Sequence, residues 1–330
     1  MKRQDSETVT NKYQTVLPTG ILAGIAATLL VLGASAQPSF AALLYAASAL
    51  PILVAGLGWG NRAAIIGILT AAALGAILIA PLFALTMAIF TLIPAGWLSH
   101  LANLARPASE LGGPEHLVAW YPISDILLHL CGLVTIAVIA LGVVIGYGPE
   151  LTSQLVDAMA ATVQEPGFTP DAAGLAQTKT LMVLMLPMIQ GGLWVILLFA
   201  AFYFATRITT GMGRSLRPRE EMPSALRMNR YAIFIFLAGI LATFAGGVPA
   251  MIGAVICGTF GAGFLMAGFA SLHFRSKGKD WRLPVLVLAY LSSMLLFPAF
   301  AILVLGLVDT RRTIALTPAN PASDTSENKN

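Results

Sequence analysis

LPTGILAGIAATLLVLGASAQPSFAALLYAASALPILVAGLGWGNRAAIIGILTAAALGAILIAPLFALTMAIFTLIPAGWLSH, residues 17–100, holds a single Lys, Arg, Asp or Glu, and that residue is Arg62. In water such a stretch would have no polar face to present, whereas a lipid interior requires this composition. Working outward, uninterrupted apolar runs recur through the rest of the chain, most of them near the ~20 residues a helix needs to cross a ~30 Å hydrocarbon layer. The sequence specifies an all-α fold, a polytopic transmembrane helical bundle.

Composition agrees. The chain is 57% hydrophobic and 10% charged with a mean hydropathy of +0.82, whereas soluble domains carry about 25% charged residues. Soluble globular classes are excluded. A net charge of +4 and a pI near 9.2 arise in a membrane protein from Lys and Arg gathered in cytoplasmic loops, and no nucleic-acid partner is expected. Cys131 and Cys257 both sit inside apolar runs without neighbours at metal-ligand spacing, so they read as small buried hydrophobes and no metal is expected.

Nine crossings are expected, at 17–36, 40–59, 63–80, 82–98, 126–147, 181–206, 231–245, 249–273 and 283–308. Pro81 divides 63–98, which is too long for one pass, because a missing N–H and a ring clash end a helix there. Trp59, Trp97, Trp120, Tyr121, Tyr147, Tyr203, Tyr231 and Trp281 fall near segment ends, where amphipathic rings prefer headgroup depth; Tyr45, Trp194 and Tyr290 do not.

With residues 1–16 placed in the cytoplasm, 15 of the 19 Lys and Arg lie in inside segments and only Lys179 in an outside one, the other three falling in the tail. The positive-inside rule then puts a basic loop at 207–230 in the cytoplasm and a loop at 148–180 outside. A single crossing over 63–98 would have put the N-terminus and the 207–230 loop on opposite sides. For 283–308 two readings stand: one tilted helix, favoured by length, or a hairpin broken at Pro298, which gives ten helices and returns Arg311 and Arg312 to the cytoplasm. The remainder, 309–330, reads as a largely disordered tail.

Residues 1–36 also imitate a secretory signal, with Ala34, Ser35 and Ala36 before Gln37, although a second apolar run follows at once. In the external loop, Leu151, Leu155, Met159 and Val163 recur every four residues after Pro149. That stripe reads as a short helix on the outer surface, either a linker or a lid.

Three constellations could carry chemistry. Asp125 and His129 share a helix face four residues apart, either as a carboxylate–imidazole pair or as a helix-start residue beside a shallow histidine. Pro187, Gln190, Gly191, Gly192 and Trp194 fall together near mid-membrane, where a broken helix lines a ligand site or merely kinks for packing. Arg207, Arg214, Arg217, Arg219, Arg227 and Arg230 form a cluster for which anionic membrane lipid is the natural counterion. Gly20 with Gly24, Ala23 with Ala27 and Gly142 with Gly146 suit close helix packing. His100, His116, His129 and His273 make no HExxH, there is no GxSxG, and Gly211 and Gly213 form no phosphate loop, so neither catalysis nor a cofactor is expected.

The Trp120, Tyr121, Pro122 loop before a helix, and the terminal Phe297 and Pro298 followed by Gly306, Leu307, Val308, Asp309, Arg311 and Arg312, resemble the YybS-like family, bacterial inner-membrane proteins with a domain of unknown function. The likeness covers roughly residues 15–313. That family looks distantly similar to the substrate-binding membrane subunits of energy-coupling-factor vitamin transporters and to a rod-shape membrane protein, though this chain is longer and has more crossings. The resemblance implies an integral membrane protein of transporter-subunit type, binding a small solute or lipid-like ligand and docking with a transporter ATPase module or other membrane proteins. The rival expectation is a non-transporting scaffold for envelope or membrane complexes.

Overall fold

The computed structural model describes residues 2–146, 148–162 and 172–318, and among them helices dominate. α1 (Lys2–Ala36) is followed by α2 (Ala41–Ala47) and α3 (Ala49–Trp59), which form one crossing jointed at Ser48, whose hydroxyl donates to the Tyr45 carbonyl at 2.6 Å. α4 (Asn61–Leu78) then runs out, and α5 (Pro81–Met87) returns through a π-helical turn at Ala88–Leu92 into α6 (Ile93–Ala102). Pro81 stands at the first position of α5 after an extended Ala80, where its missing N–H has no intrahelical partner to lose. The division of 63–98 at that proline is what the sequence requires.

After α7 (Ile123–Ile145), α8 (Pro149–Thr162) packs on the start of α9 (Ala172–Gly211), with Lys179 and Asp157 paired at 2.7 Å. Thr152 and Val156 are buried on α8 while Leu155 is exposed, so the inward face is rotated from the expected stripe. Tyr147, Val163, Glu165, Asp171 and the stretch 319–330 lie outside the described residues. The short α10 (Met222–Ala225) leads to α11 (Tyr231–Thr243), α12 (Gly247–Arg275), α13 (Arg282–Ser292) and α14 (Leu296–Val308).

Among the described residues seven spans are long and apolar enough to cross a membrane, and eight if α13 with α14 counts as one; α11 is apolar but short. Each of the nine expected segments contains helix among its described residues, and the bundle is the all-α membrane fold the composition requires.

Small residues set the packing. Gly20 and Gly24 of α1 lie against α4, where a Cβ on Gly24 would come within 2.6 Å of the Gly67 carbonyl oxygen. α9 and α12 meet through Gly191, Gly192 and Gly258, and α12 meets α14 through Gly268 and Gly306. Close approach of backbones is how helices gain dispersion contact where lipid removes the hydrophobic drive. Between α7 and α12 the Thr135 and Thr259 hydroxyls pair at 2.7 Å, each also bonded to its own helix, so both are satisfied in the apolar interior.

One end of the bundle collects the cations. Asn61 meets His100 at 2.6 Å, Arg214 stacks over Trp59 at 4.4 Å, and Lys277 pairs with Glu221 at 3.0 Å. α13 and α14 bend by 118° at Ser293–Leu295, and both ends of the pair lie at this basic face: Arg282 beside Lys277 in one cavity, and Asp309 bonded to Ser271 at 2.6 Å. The pair therefore does not carry the chain across. The break falls before Pro298, which stands in the first turn of α14 and costs no intrahelical bond there. Charge, not length, gave the correct side for Arg311 and Arg312 relative to the other cations.

The ten residues after α14 are folded against the bundle. β3 (Leu316–Pro318) joins β1 (Ala105–Pro107) and β2 (Leu117–Trp120) in an antiparallel three-stranded sheet of order β1–β2–β3, and the Trp120 indole donates to the Thr317 hydroxyl at 2.9 Å.

Candidate functional site

The segment between α9 and α11 turns back at Gly213, whose φ of 66° suits glycine, and Pro218 interrupts helix before the short α10, in whose first turn Pro223 stands. Its arginines divide into two kinds. Arg217 is buried: its Nε donates to Glu220 at 2.8 Å, its Nη2 pairs with the same carboxylate, and Nη1 donates to the Tyr121 carbonyl at 2.7 Å. Arg227 is fully buried, donating from Nε to Asp309 at 2.8 Å and from Nη1 to the carbonyls of Pro223 and Leu226. These two guanidiniums hold the fold together, so they are withdrawn from the expected lipid-contact set, whereas Arg207, Arg214, Arg219 and Arg230 are exposed.

The pairing of Arg227 with Asp309 is one-sided. Burial opposes the charge on Asp309, but the Ser271 hydroxyl and the cations Arg227 and Arg311 outweigh it and hold the carboxyl below the ordinary carboxylate range. Arg227 is shifted down, because its burial outweighs what Asp309 returns, and its Nη2 has no acceptor among the described residues. The desolvation cost therefore falls on the guanidinium.

Beside these anchors lies a cavity of about 640 Å³, bounded by α9, the 215–223 segment, the end of α12 and the start of α13. Its polar lining includes Thr206, Arg207, Thr210, Arg219, His273, Lys277 and Arg282, besides the Arg217–Glu220 pair and Glu221. Lys277 is paired with Glu221, but Arg207, Arg219 and Arg282 have no carboxylate partner among the described residues. A half-enclosed chamber with this surplus of guanidinium groups is suited to an anion, since Arg presents a planar fork matched to phosphate or carboxylate.

The intramembrane candidates are placed differently. α9 continues unbroken through Pro187, and Gly191 and Gly192 face Thr259 and Gly258 of α12. The expected break is a packing contact: the glycines remove side chains from a crossing and expose no backbone. Gln190 and Trp194 border a shallow groove of about 280 Å³ with Tyr45, Phe83, Thr86 and Phe90. Trp194 stands edge-on to Tyr45 at 5.6 Å, which accounts for two aromatic residues outside the headgroup belt.

Asp125 and His129 do not form a carboxylate–imidazole pair. His129 Nδ1 lies 2.8 Å from the Asp125 backbone carbonyl, and the buried Asp125 carboxylate accepts instead from Asn229 Nδ2 at 2.6 Å and Arg312 Nη2 at 2.7 Å. Helical spacing placed the two on one face but could not exclude distant partners.

His273, Lys277 and Arg282 are site residues that the sequence does not single out, because the 275–282 loop reads only as an orientation signal; its three lysines and arginines beyond Arg275 are the available hint. No group of three or more His, Cys, Asp and Glu able to hold a metal occurs among the described residues. No family model, curated protein or solved structure matches the chain. The loop at Trp120–Pro122 and the segment after α14 are neighbours in space: Asp125, just after that loop, holds Arg312, and Trp120 holds Thr317.

Proposed function

We propose that this integral membrane protein binds an anionic small molecule in the basic-face cavity, in a role of transporter-subunit type. The observation that carries the reading is the 640 Å³ chamber with Arg207, Arg219 and Arg282 unmatched by carboxylates. Its volume lies within the roughly 300–1,000 Å³ usual for small-molecule sites. Three guanidiniums facing one space repel one another, and an anion relieves that repulsion while gaining charge-assisted hydrogen bonds. With the basic face in the cytoplasm of a bacterial inner membrane, as the Lys and Arg distribution favours, the cavity opens to cytoplasmic anions and to a transporter ATPase module docking there. A YybS-like kinship with vitamin-transporter subunits is compatible with this arrangement.

The test is thermal stability of the detergent-purified chain with sodium pyrophosphate against sodium chloride at matched ionic strength. Pyrophosphate should raise the Tm, and the Arg207→Gln, Arg219→Gln, Arg282→Gln triple variant should lose the response while keeping its own Tm in chloride. No pyrophosphate response, or an equal one in the triple variant, refutes the site. Stoichiometric membrane partners co-purifying from native membranes without any ATPase would instead support the scaffold role.

A further inference from the structure

The cationic cavity has an apolar continuation. A second cavity of about 420 Å³ shares Met222, Pro223 and His273 with the first and extends past Ile196 of α9, Phe269 of α12 and Tyr290 of α13. Apart from His273 and Tyr290, every side chain on it is apolar. Those two are turned toward each other, with His273 Nε2 and Tyr290 Oη 3.0 Å apart, and the Tyr290 ring stacks on Phe269 at a centroid distance of 4.4 Å. The groove thus satisfies its own polar groups within its wall and offers carbon to whatever occupies it.

Resting on the anion-site reading above, we propose that the ligand is a phosphate-headed amphiphile. Its headgroup is held by Arg207, Arg219 and Arg282, and a hydrocarbon chain lies along Ile196, Phe269 and Tyr290. The shared wall at Met222, Pro223 and His273 marks where headgroup and chain join. A free phosphate would leave the apolar groove unfilled, and a neutral hydrocarbon would leave the guanidiniums unmatched; one molecule bearing both parts answers both. Basic pockets at the cytoplasmic ends of membrane helices bind anionic headgroups for this reason. In a bilayer or a micelle the chain leaves surroundings as apolar as the groove, so the groove contributes through shape and dispersion contact rather than through removal of carbon from water.

Native mass spectrometry of the full-length chain in detergent, titrated separately with dioleoyl phosphatidic acid, dioleoylglycerol and glycerol 3-phosphate, tests the assignment. Phosphatidic acid should bind at one per chain, with dioleoylglycerol and glycerol 3-phosphate each at least about tenfold weaker, the first through loss of the charged hydrogen bonds and the second through loss of the chain's contacts with the groove. Arg219→Gln and Arg282→Gln should each weaken phosphatidic acid about tenfold. Ile196→Trp, at a half-exposed position in the groove, should weaken phosphatidic acid yet keep the pyrophosphate-induced rise in Tm; Leu265→Trp, in the α12 part of the lining, serves if Ile196→Trp does not fold.

Glycerol 3-phosphate binding as tightly as phosphatidic acid would overturn the amphiphile while leaving the anion site standing. So would undiminished phosphatidic acid binding in the folded tryptophan variants. Failure of phosphatidic acid together with a preserved pyrophosphate response also overturns the amphiphile alone. Failure of both probes overturns the anion site itself.

Discussion

Arg312 closes on Asp125 at 2.7 Å, joining a residue beyond the last helix to one at the start of α7, 187 positions earlier in the chain. Asp125 is buried and Arg312 half-exposed, so the contact seals a carboxylate that would otherwise keep only the Asn229 amide. Arg312→Gln should therefore loosen residues 309–318, at a cost of about 1–3 kcal/mol, the usual penalty for leaving a buried charged group short of a partner. Limited proteolysis within 309–318 should accelerate in Arg312→Gln, and Asp125→Asn should behave alike. Unchanged cleavage in both variants would show that the sheet alone holds this segment.

The second tie, Arg227 to Asp309, carries a larger penalty. Asp309→Asn leaves a fully buried guanidinium without its counterion and should destabilise by about 3–5 kcal/mol. The double variant Arg227→Met, Asp309→Asn should recover most of that loss, because an apolar side chain of similar length suits the site. Thermal unfolding of the two single variants and the double variant measures the coupling.

The same pair fixes a pH dependence. Because the carboxyl of Asp309 is held below the ordinary carboxylate value of about 3.9, the stabilisation it gives is complete above that value and is lost as pH falls through the lowered one. Protection of 309–318 from protease should be flat from about pH 5 to 9 and decline only below about pH 4. A decline centred near neutrality would assign the control to another group.

At the α9–α12 crossing, a Cβ on Gly258 would fall on the Met188 carbonyl oxygen, and a Cβ on Gly191 would come within 2.8 Å of Thr259. Gly258→Ala should cost about 1–3 kcal/mol or prevent accumulation, as overpacking does in tight cores. Gln190→Leu should be silent or mildly stabilising, since its neighbours in the groove are mostly apolar and α9 is continuous there. Loss of ligand binding in Gln190→Leu at normal abundance would restore the intramembrane site.

Sidedness is checked by impermeant thiol labelling in a background with Cys131→Ala and Cys257→Ala. Ser153→Cys should react in intact spheroplasts, whereas Lys279→Cys and Arg311→Cys should react only after permeabilisation. The bent α13–α14 pair requires the last two to behave identically, so opposite outcomes for them would refute the re-entrant geometry.

The crossings were readable in the sequence because lipid imposes a one-dimensional rule, apolar or not, and Pro81 and the distribution of Lys and Arg carried local signals of their own. Residues 105–107, 117–120 and 316–318 were not readable as a sheet: each strand is three or four residues long, too short for an alternating pattern to register. The six-arginine cluster reads as charge; Arg217 finds Glu220 three residues on, but burial of Arg227 depends on Asp309, 82 residues away, which no local spacing encodes. The mid-membrane Pro187–Gly192 stretch misled for the opposite reason. Proline and paired glycines have the same composition whether a helix breaks or packs closely, and only the presence of α12 opposite them decides.

Asp309 and Arg312 follow α14, the last helix among the described residues, yet they neutralise Arg227 and Asp125. As the ribosome delivers the chain, Asp125 must enter its place while its cation is still untranslated, and Arg227 must wait some eighty residues for its anion. Both remain hydrated or borrow other partners until α14 has emerged. Nascent chains halted between residues 230 and 308 would thus carry Arg227 and Asp125 without the counterions that the folded chain gives them.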